Sequence, residues 1–251
     1  MYPVAFCIGT VPVSSFGLCL ALGSLFSCWY GQRWVRRAGF PPRYVWHVYG
    51  WMMVAGLLGA KLWYAVESAA RGNGTFAAAL LERSGVTFCG GLLGGAASIL
   101  TKGWIDEVPP LKLLDAFAPI VALGEAIGRI GCFLVGDDYG VPTSLPWGTA
   151  FPLGHPATTE RVHPTQLYES FWALAMTAFL SRRVEKSRSL FGEYLILEGV
   201  GRFVVEFVRT NPPTLGLLTI YQVAALVWIL VGAALLYRAR LLPAIHRVRV
   251  R

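Results

Sequence analysis

The chain has 251 residues, a mean hydropathy of +0.53 and only 14% charged residues. Soluble domains carry about 25% charged residues. The composition therefore excludes an ordinary soluble domain and predicts an all-α polytopic membrane protein, one domain over 1–251 with about seven transmembrane helices. The net charge of +8 does not point to nucleic acid, because the basic residues cluster in the turns between apolar segments.

Met1 to Ser14 reads as a short leader with two prolines. It lacks a basic start and runs into a full span, so no cleavable signal peptide is expected. Span 1 runs from about Ser15 to Tyr30 and stops at Arg33, Arg36 and Arg37. After the turn Phe40-Pro41-Pro42-Arg43, span 2 covers about Tyr44 to Val66. Arg71 to Gly74 reads as a loop and Ala77 to Arg83 as a short interfacial helix. Span 3, about Val86 to Thr101, carries Gly90, Gly91, Gly94 and Gly95. That pattern fits either tight helix packing or a broken, cavity-lining start.

Span 4 runs from about Leu113 to Val135 and ends in Gly128-Arg-Ile-Gly-Cys-Phe-Leu-Val-Gly-Asp-Asp-Tyr-Gly140. Glu125 and Arg129 lie one turn apart on its face. Ionisable groups inside a span face a partner or a wet cavity, so this pair reads either as a functional site or as a structural ion pair. Asp137 to Pro164 is a long polar arm in which Trp147 to Phe151 can form either a short strand or an interfacial segment. Span 5 covers about Thr165 to Leu180, and span 6 about Leu190 to Val208 with Glu198, Arg202 and Glu206 inside it. Span 7 covers about Leu215 to Tyr237, before a basic tail that can lie on an anionic leaflet. The five cysteines show no C-x-x-C spacing, so no disulfide framework, structural zinc or other cofactor is expected.

Assigning alternate turns to one side places fifteen of the 22 Lys and Arg there. That side is expected to be the cytoplasm, with the amino terminus outside and the carboxyl terminus inside. The glycine-rich start of span 3, the Arg129 motif and the Asp137 to Pro164 arm then share the outer end. Two arginines in one cavity suit an anion, and a phosphate matches the guanidinium fork. Pairing of Arg202 with Glu206 along their helix is the structural alternative.

Four stretches carry a resemblance: Phe88 to Gly94, Gly128 to Gly140, His163-Pro-Thr-Gln-Leu-Tyr-Glu169 and Arg202-Phe-Val-Val-Glu-Phe-Val-Arg209. In this order they resemble the prolipoprotein diacylglyceryl transferase family, from about Pro3 to Leu226. The resemblance implies transfer of a diacylglyceryl group from phosphatidylglycerol to the lipobox cysteine thiol of a preprolipoprotein, with release of glycerol phosphate. It implies a bacterial inner-membrane enzyme whose partners are phosphatidylglycerol, the signal peptide and the lipid bilayer. On it, Arg129 and Arg202 hold the phosphate and Glu206 orients Arg202, while Asp137 and Gly140 shape the outer rim. His163 handles a proton or anchors the arm. Cys89, Gly90, Gly91, Cys132 and Phe16 are expected at the substrate.

The sequence departs from the family pattern in places. Cys89 stands where that family usually has a histidine, Cys132 where it has asparagine, Phe16 where it has tyrosine, Lys61 where it has arginine and Asp137 where it has glutamate. With the histidine replaced, Asp137, Asp138 or Glu206 could accept the thiol proton, or arginine-bound phosphate could lower the thiol pKa unaided. Packing is the alternative role for Cys89 and Cys132. The same features also fit a diverged relative acting on another acceptor, or a non-catalytic lipid- or signal-peptide-binding protein. A transporter is disfavoured, since no internal repeat is visible.

Overall fold

The computed structural model describes residues 2–9, 11–70, 72, 75–82, 87–214 and 216–241. Arg71, Asn73 and Gly74 of the expected loop, Arg83 and Val86, Leu215 and the basic tail from Leu242 lie outside the described residues, as does the side chain of Cys89. Eight α-helices occur among the described residues: α1 (Ser15–Arg37), α2 (Tyr44–Ala70), α3 (Phe76–Leu81), α4 (Phe88–Ile105), α5 (Pro110–Val135), α6 (Thr165–Ser181), α7 (Leu190–Val205) and α8 (Ile220–Leu241). Of these, α5 and α8 are long and apolar enough to cross a membrane by length and composition.

The helices do not account for everything. The expected leader is a hairpin of β1 (Val4–Ile8) and β2 (Val11–Ser14). The arm holds a second hairpin, β3 (Thr149–Phe151) with β4 (Thr158–Val162). Only the first of these arm strands was anticipated.

The chain divides into two compact units. One is Gly39–Leu114, carrying α2, α3 and α4. Here α4 lies against α2 without side chains between the backbones. A Cβ on Gly90 would collide with the Gly59 carbonyl, and one on Gly94 with that of Ala55. Of the two sequence readings for this glycine run, the structure supports tight helix packing. Thr75 caps α3 by accepting from the Ala78 amide. Lys102 pairs with Asp106 at 2.7 Å, and Tyr44 donates to the same carboxylate.

The other unit combines the chain up to Ala38 with Asp115 to Leu241. Its core is a small-residue seam of α5 (Ala118, Ala122, Ala126) against Ala173, Met176 and Leu180 of α6. Small side chains let the helices approach closely enough for Ser170 of α6 to donate to the Ala126 carbonyl of α5 at 2.8 Å. α7 is capped twice at its start. Ser189 accepts from the Gly192 amide, and Asp115 of α5 accepts from the Phe191 amide at 2.7 Å. Its last turn tightens into a 3-10 segment, Glu206–Val208, before Asn211-Pro212-Pro213 forbids more helix.

Candidate active site

The ends of α5 and α7, the start of α6 and the root of the arm bring three arginines and three carboxylates together. Arg129, on the last turns of α5, places Nε 3.1 Å from Glu169 and Nη1 3.2 Å from Asp138. Arg202, in the last turn of α7, reaches Glu169 at 2.9 Å and Glu206 at 3.2 Å. Arg209 follows the 3-10 segment and contacts Asp138 at 2.6 Å, Glu169 at 3.5 Å and Glu206 at 3.8 Å. Glu169 is the hub, meeting all three guanidinium groups while only 8% exposed.

This settles two points that the sequence left open. Among the described residues Arg129 has its ion pairs with Asp138 and Glu169, not with Glu125 one turn away. Arg202 and Glu206 do pair along their helix, but that pair is one edge of a larger network. Glu206 is held rigidly. Its Oε1 accepts from Asn211 at 2.8 Å and from Thr219 at 2.9 Å, and it is 3% exposed. The Arg202 guanidinium also lies 4.9 Å from the centre of the Tyr221 ring.

The arm's root is built from backbone contacts. Gly140 donates to the His163 carbonyl at 2.9 Å and bridges to Arg209. A Cβ there would strike the Val208 carbonyl, so the chain passes only because position 140 is glycine. Thr165 donates to the Asp138 carbonyl at 2.6 Å, and Gln166, fully buried, donates to that of Asp137. His163 belongs to this anchoring. The Trp147 indole can only donate, and it does so to the Tyr168 hydroxyl at 2.8 Å. That hydroxyl in turn lies 3.1 Å from His163 Nδ1, within hydrogen-bonding distance.

Neighbouring aspartates are pushed in opposite directions. Burial pushes the Asp138 carboxyl up, but Arg209 and Arg129 outweigh it and hold the group below the usual carboxylate range. At Asp137 burial prevails and the carboxyl is raised, even though the Cys132 thiol lies within hydrogen-bonding reach. Cys132, Asp137 and Asp138 place ligand-type atoms within 4.8 Å of one another. Asp138 is already neutralised by two arginines, so the group makes a poor cation cage.

Phe16 lies at the start of α1 beside Gly131 of α5, one residue from Cys132. Gly90 and Gly91 belong to the other unit, where Gly90 is part of the α2–α4 contact and Gly91 faces Gly56 and Ala60. Glu169, Asp138 and Arg209 join Arg129, Arg202 and Glu206 here, although sequence alone assigned them no part in holding an anion. The signal for Arg209 was present: it closes the Arg202 to Arg209 stretch that carries the resemblance, although it lies past the end of α7.

The cluster can stabilise an anion. A guanidinium has five N–H donors, and Arg129 uses only Nε and Nη1 in the described ion pairs. Its side chain is also the most open of the three, 22% exposed against 12% and 7%.

A family model described as prolipoprotein diacylglyceryl transferase matches residues 3–238. The chain is 34% identical over 239 residues to a Clostridium tetani protein named phosphatidylglycerol–prolipoprotein diacylglyceryl transferase, covering 92% of this chain and 95% of that one. A protein of the same name from Nitratidesulfovibrio vulgaris is 33% identical over 251 residues, covering 95% and 94%. One from Thermosynechococcus vestitus is 30% identical over 246 residues, covering 92% and 90%.

Proposed function

The chain belongs to the prolipoprotein diacylglyceryl transferase family, and on that premise we propose that it moves the diacylglyceryl group of phosphatidylglycerol onto the lipobox cysteine thiol of a preprolipoprotein. The sulfur attacks the glyceryl carbon, the carbon–oxygen bond breaks, and glycerol phosphate leaves. Negative charge builds on the departing phosphate, so catalysis calls for fixed cations in a water-poor site. The observation that carries the reading is the cluster of Arg129, Arg202 and Arg209, buried yet with guanidinium donors unspent at Arg129.

In this reading Arg129 and Arg202 hold the phosphate. Glu206, itself fixed by Asn211 and Thr219, aims Arg202. Gly140, Asp137 and the arm form the rim, and Phe16 and Cys132 border it on the α1–α5 side. The spans are α1, α2 and α4 to α8, seven in all, in one integral-membrane domain of the bacterial inner membrane. The amino terminus and the arm face outward and the carboxyl terminus faces the cytoplasm.

The test is a transfer assay with the purified protein in phosphatidylglycerol vesicles and a lipobox peptide. Mass spectrometry should find a peptide that has gained a diacylglyceryl thioether. Unmodified peptide throughout would overturn the reading. Topology is checked with single cysteines in a cysteine-free background. Thr159→Cys should react with an impermeant maleimide in intact cells, and Lys186→Cys only after lysis.

A further inference from the structure

A cavity of about 240 Å³ opens beside the arginine cluster, and its walls hold two carboxyl groups that the network does not use. Glu125 of α5 and Glu198 of α7 line it together with Glu169, Arg202, Tyr168 and Trp172. Glu125 and Glu198 are within hydrogen-bonding reach of each other, and both are half-buried. Arg129, Glu169 and Arg202 face the pair from α5, α6 and α7, and the Tyr194 phenol lies close to both carboxyls. Among the described residues no ion pair reaches either one. Glu169 brings a further polar atom into the same cavity. Its Oε2 has no hydrogen-bond donor, only the off-angle contact to Arg129.

The reaction needs somewhere for a proton to go. A thiol attacks as its thiolate, so the S–H proton must leave. Asp138, Glu169 and Glu206 are already engaged, each paired with two or three guanidinium groups. Two carboxylates that face each other without a paired cation offer a different arrangement. They repel when both are ionised and are satisfied by one proton held between them.

Resting on the transferase reading above, we propose that Glu125 and Glu198 together are the proton acceptor for the attacking thiol. The reactive form is the pair with both groups ionised. As sulfur bonds to the glyceryl carbon, its proton passes into the space between the two carboxylates. The carbon–oxygen bond breaks and its electron pair leaves on the phosphate oxygen, where Arg129 and Arg202 meet the new charge. The glycerol phosphate dianion departs, and the pair returns its proton to that phosphate or to water.

The experiment is the pH–rate profile of transfer in phosphatidylglycerol vesicles, for the wild type, Glu125→Gln, Glu198→Gln, Glu198→Asp and the double glutamine variant. The wild type should show a rising limb as the pair loses its shared proton. Either single glutamine variant leaves one carboxylate without its like-charged neighbour, so the limb should move to lower pH while the plateau falls. Glu198→Asp keeps both carboxyls and should keep the limb. The double variant should lose about a hundredfold at neutral pH, within the usual range for general base catalysis. A structural role would lower the rate without moving the limb. Should a variant fail to fold, the wild type still decides. Its infrared spectrum must show a protonated carboxyl band that fades over the pH range where the rate rises, and a band that does not track the rate overturns the proposal. No product from the wild type at any pH overturns the transferase reading. Product whose limb ignores both glutamine substitutions overturns the proton acceptor alone.

Discussion

Two arginine sites in the same unit differ in how completely their charges are matched. Arg183, just beyond α6, meets Glu193 in a matched fork, Nε to Oε2 at 2.6 Å and Nη2 to Oε1 at 2.7 Å, with Ser187 adding a third bond. One cation faces one anion, the donors used match the acceptors, and the arginine is 41% exposed. The Arg129, Arg202 and Arg209 cluster has equal numbers of charges but no such match. Its contacts stretch from 2.6 to 3.8 Å, and buried Glu169 Oε2, Glu206 Oε2 and Arg209 Nη1 lack hydrogen bonds altogether. A buried network left incomplete costs stability, and it persists where something else completes it. The fork at Arg183 matches every donor it uses to an acceptor, and the cluster does not.

Substitutions can break that comparison, and the largest effect is expected at the open cations. Arg129→Ala and Arg202→Ala should each slow transfer about a hundred- to a thousandfold, or ~2–4 kcal/mol of transition-state stabilisation. Arg129→Lys should be nearly as poor, since an ammonium cannot form the planar fork. Adding Glu169→Gln to Arg129→Ala restores the balance of charges in the cluster, because Glu169 is one of the two carboxylates that Arg129 meets. Recovery of transfer at matched expression would make Arg129 a structural partner only. Arg209→Gln comes next, with a loss of about ten- to a hundredfold from one charged hydrogen-bond group, measured in the same assay.

A smaller effect should appear in stability against pH at the adjacent aspartates. Asp138 is held below its ordinary pKa of about 3.9, so its stabilisation is present above that pH and is lost as pH falls through the depressed value. Asp138→Asn should therefore lower the melting temperature at pH 7, and the gap should close in acid. Asp137 is raised, so its ionised form costs stability. Asp137→Asn should raise the melting temperature at pH above the raised value, with that gap also closing as pH falls towards 3.9. Melting curves of equal sign for both variants would show that the two carboxyls share one environment. The smallest effect belongs to Arg183→Gln. Exposed pairs contribute about 0.2–1 kcal/mol, so melting should shift by a degree or two and transfer should not change.

Much of this was legible in the sequence because apolar length and charge placement are local signals. The ends of α5 and α7 follow from Pro110, Gly136 and the Asn211-Pro212-Pro213 break, and Arg129, Arg202 and Glu206 stand out as charges within apolar runs. The pairing of those charges was not legible. Glu125 sits at ideal spacing from Arg129, yet Arg129 has its ion pairs with Asp138 and Glu169, the latter forty residues on, because α6 brings Glu169 alongside. The role of Asp138 depends on a left-handed backbone at that residue, with φ of 60°, which composition does not announce. The amino-terminal hairpin was not anticipated in what reads as a short leader with two prolines; Pro12 faces Cys7 in a two-stranded sheet where an absent N–H is tolerated.

The bond from the Phe191 amide to Asp115 has a mechanical consequence. Arg129 lies fourteen residues along α5 from that fastening and Arg202 lies eleven residues along α7, about 21 Å and about 17 Å at the rise of a helix. Both cations are thus levelled from a common datum at the far end of their helices. A helix free to slip by one residue would offset one guanidinium from the other by about 1.5 Å, enough to spoil a shared grip on a single phosphate. Asp115 works as a depth gauge: a carboxylate at the far end of both helices sets the height of one arginine against the other.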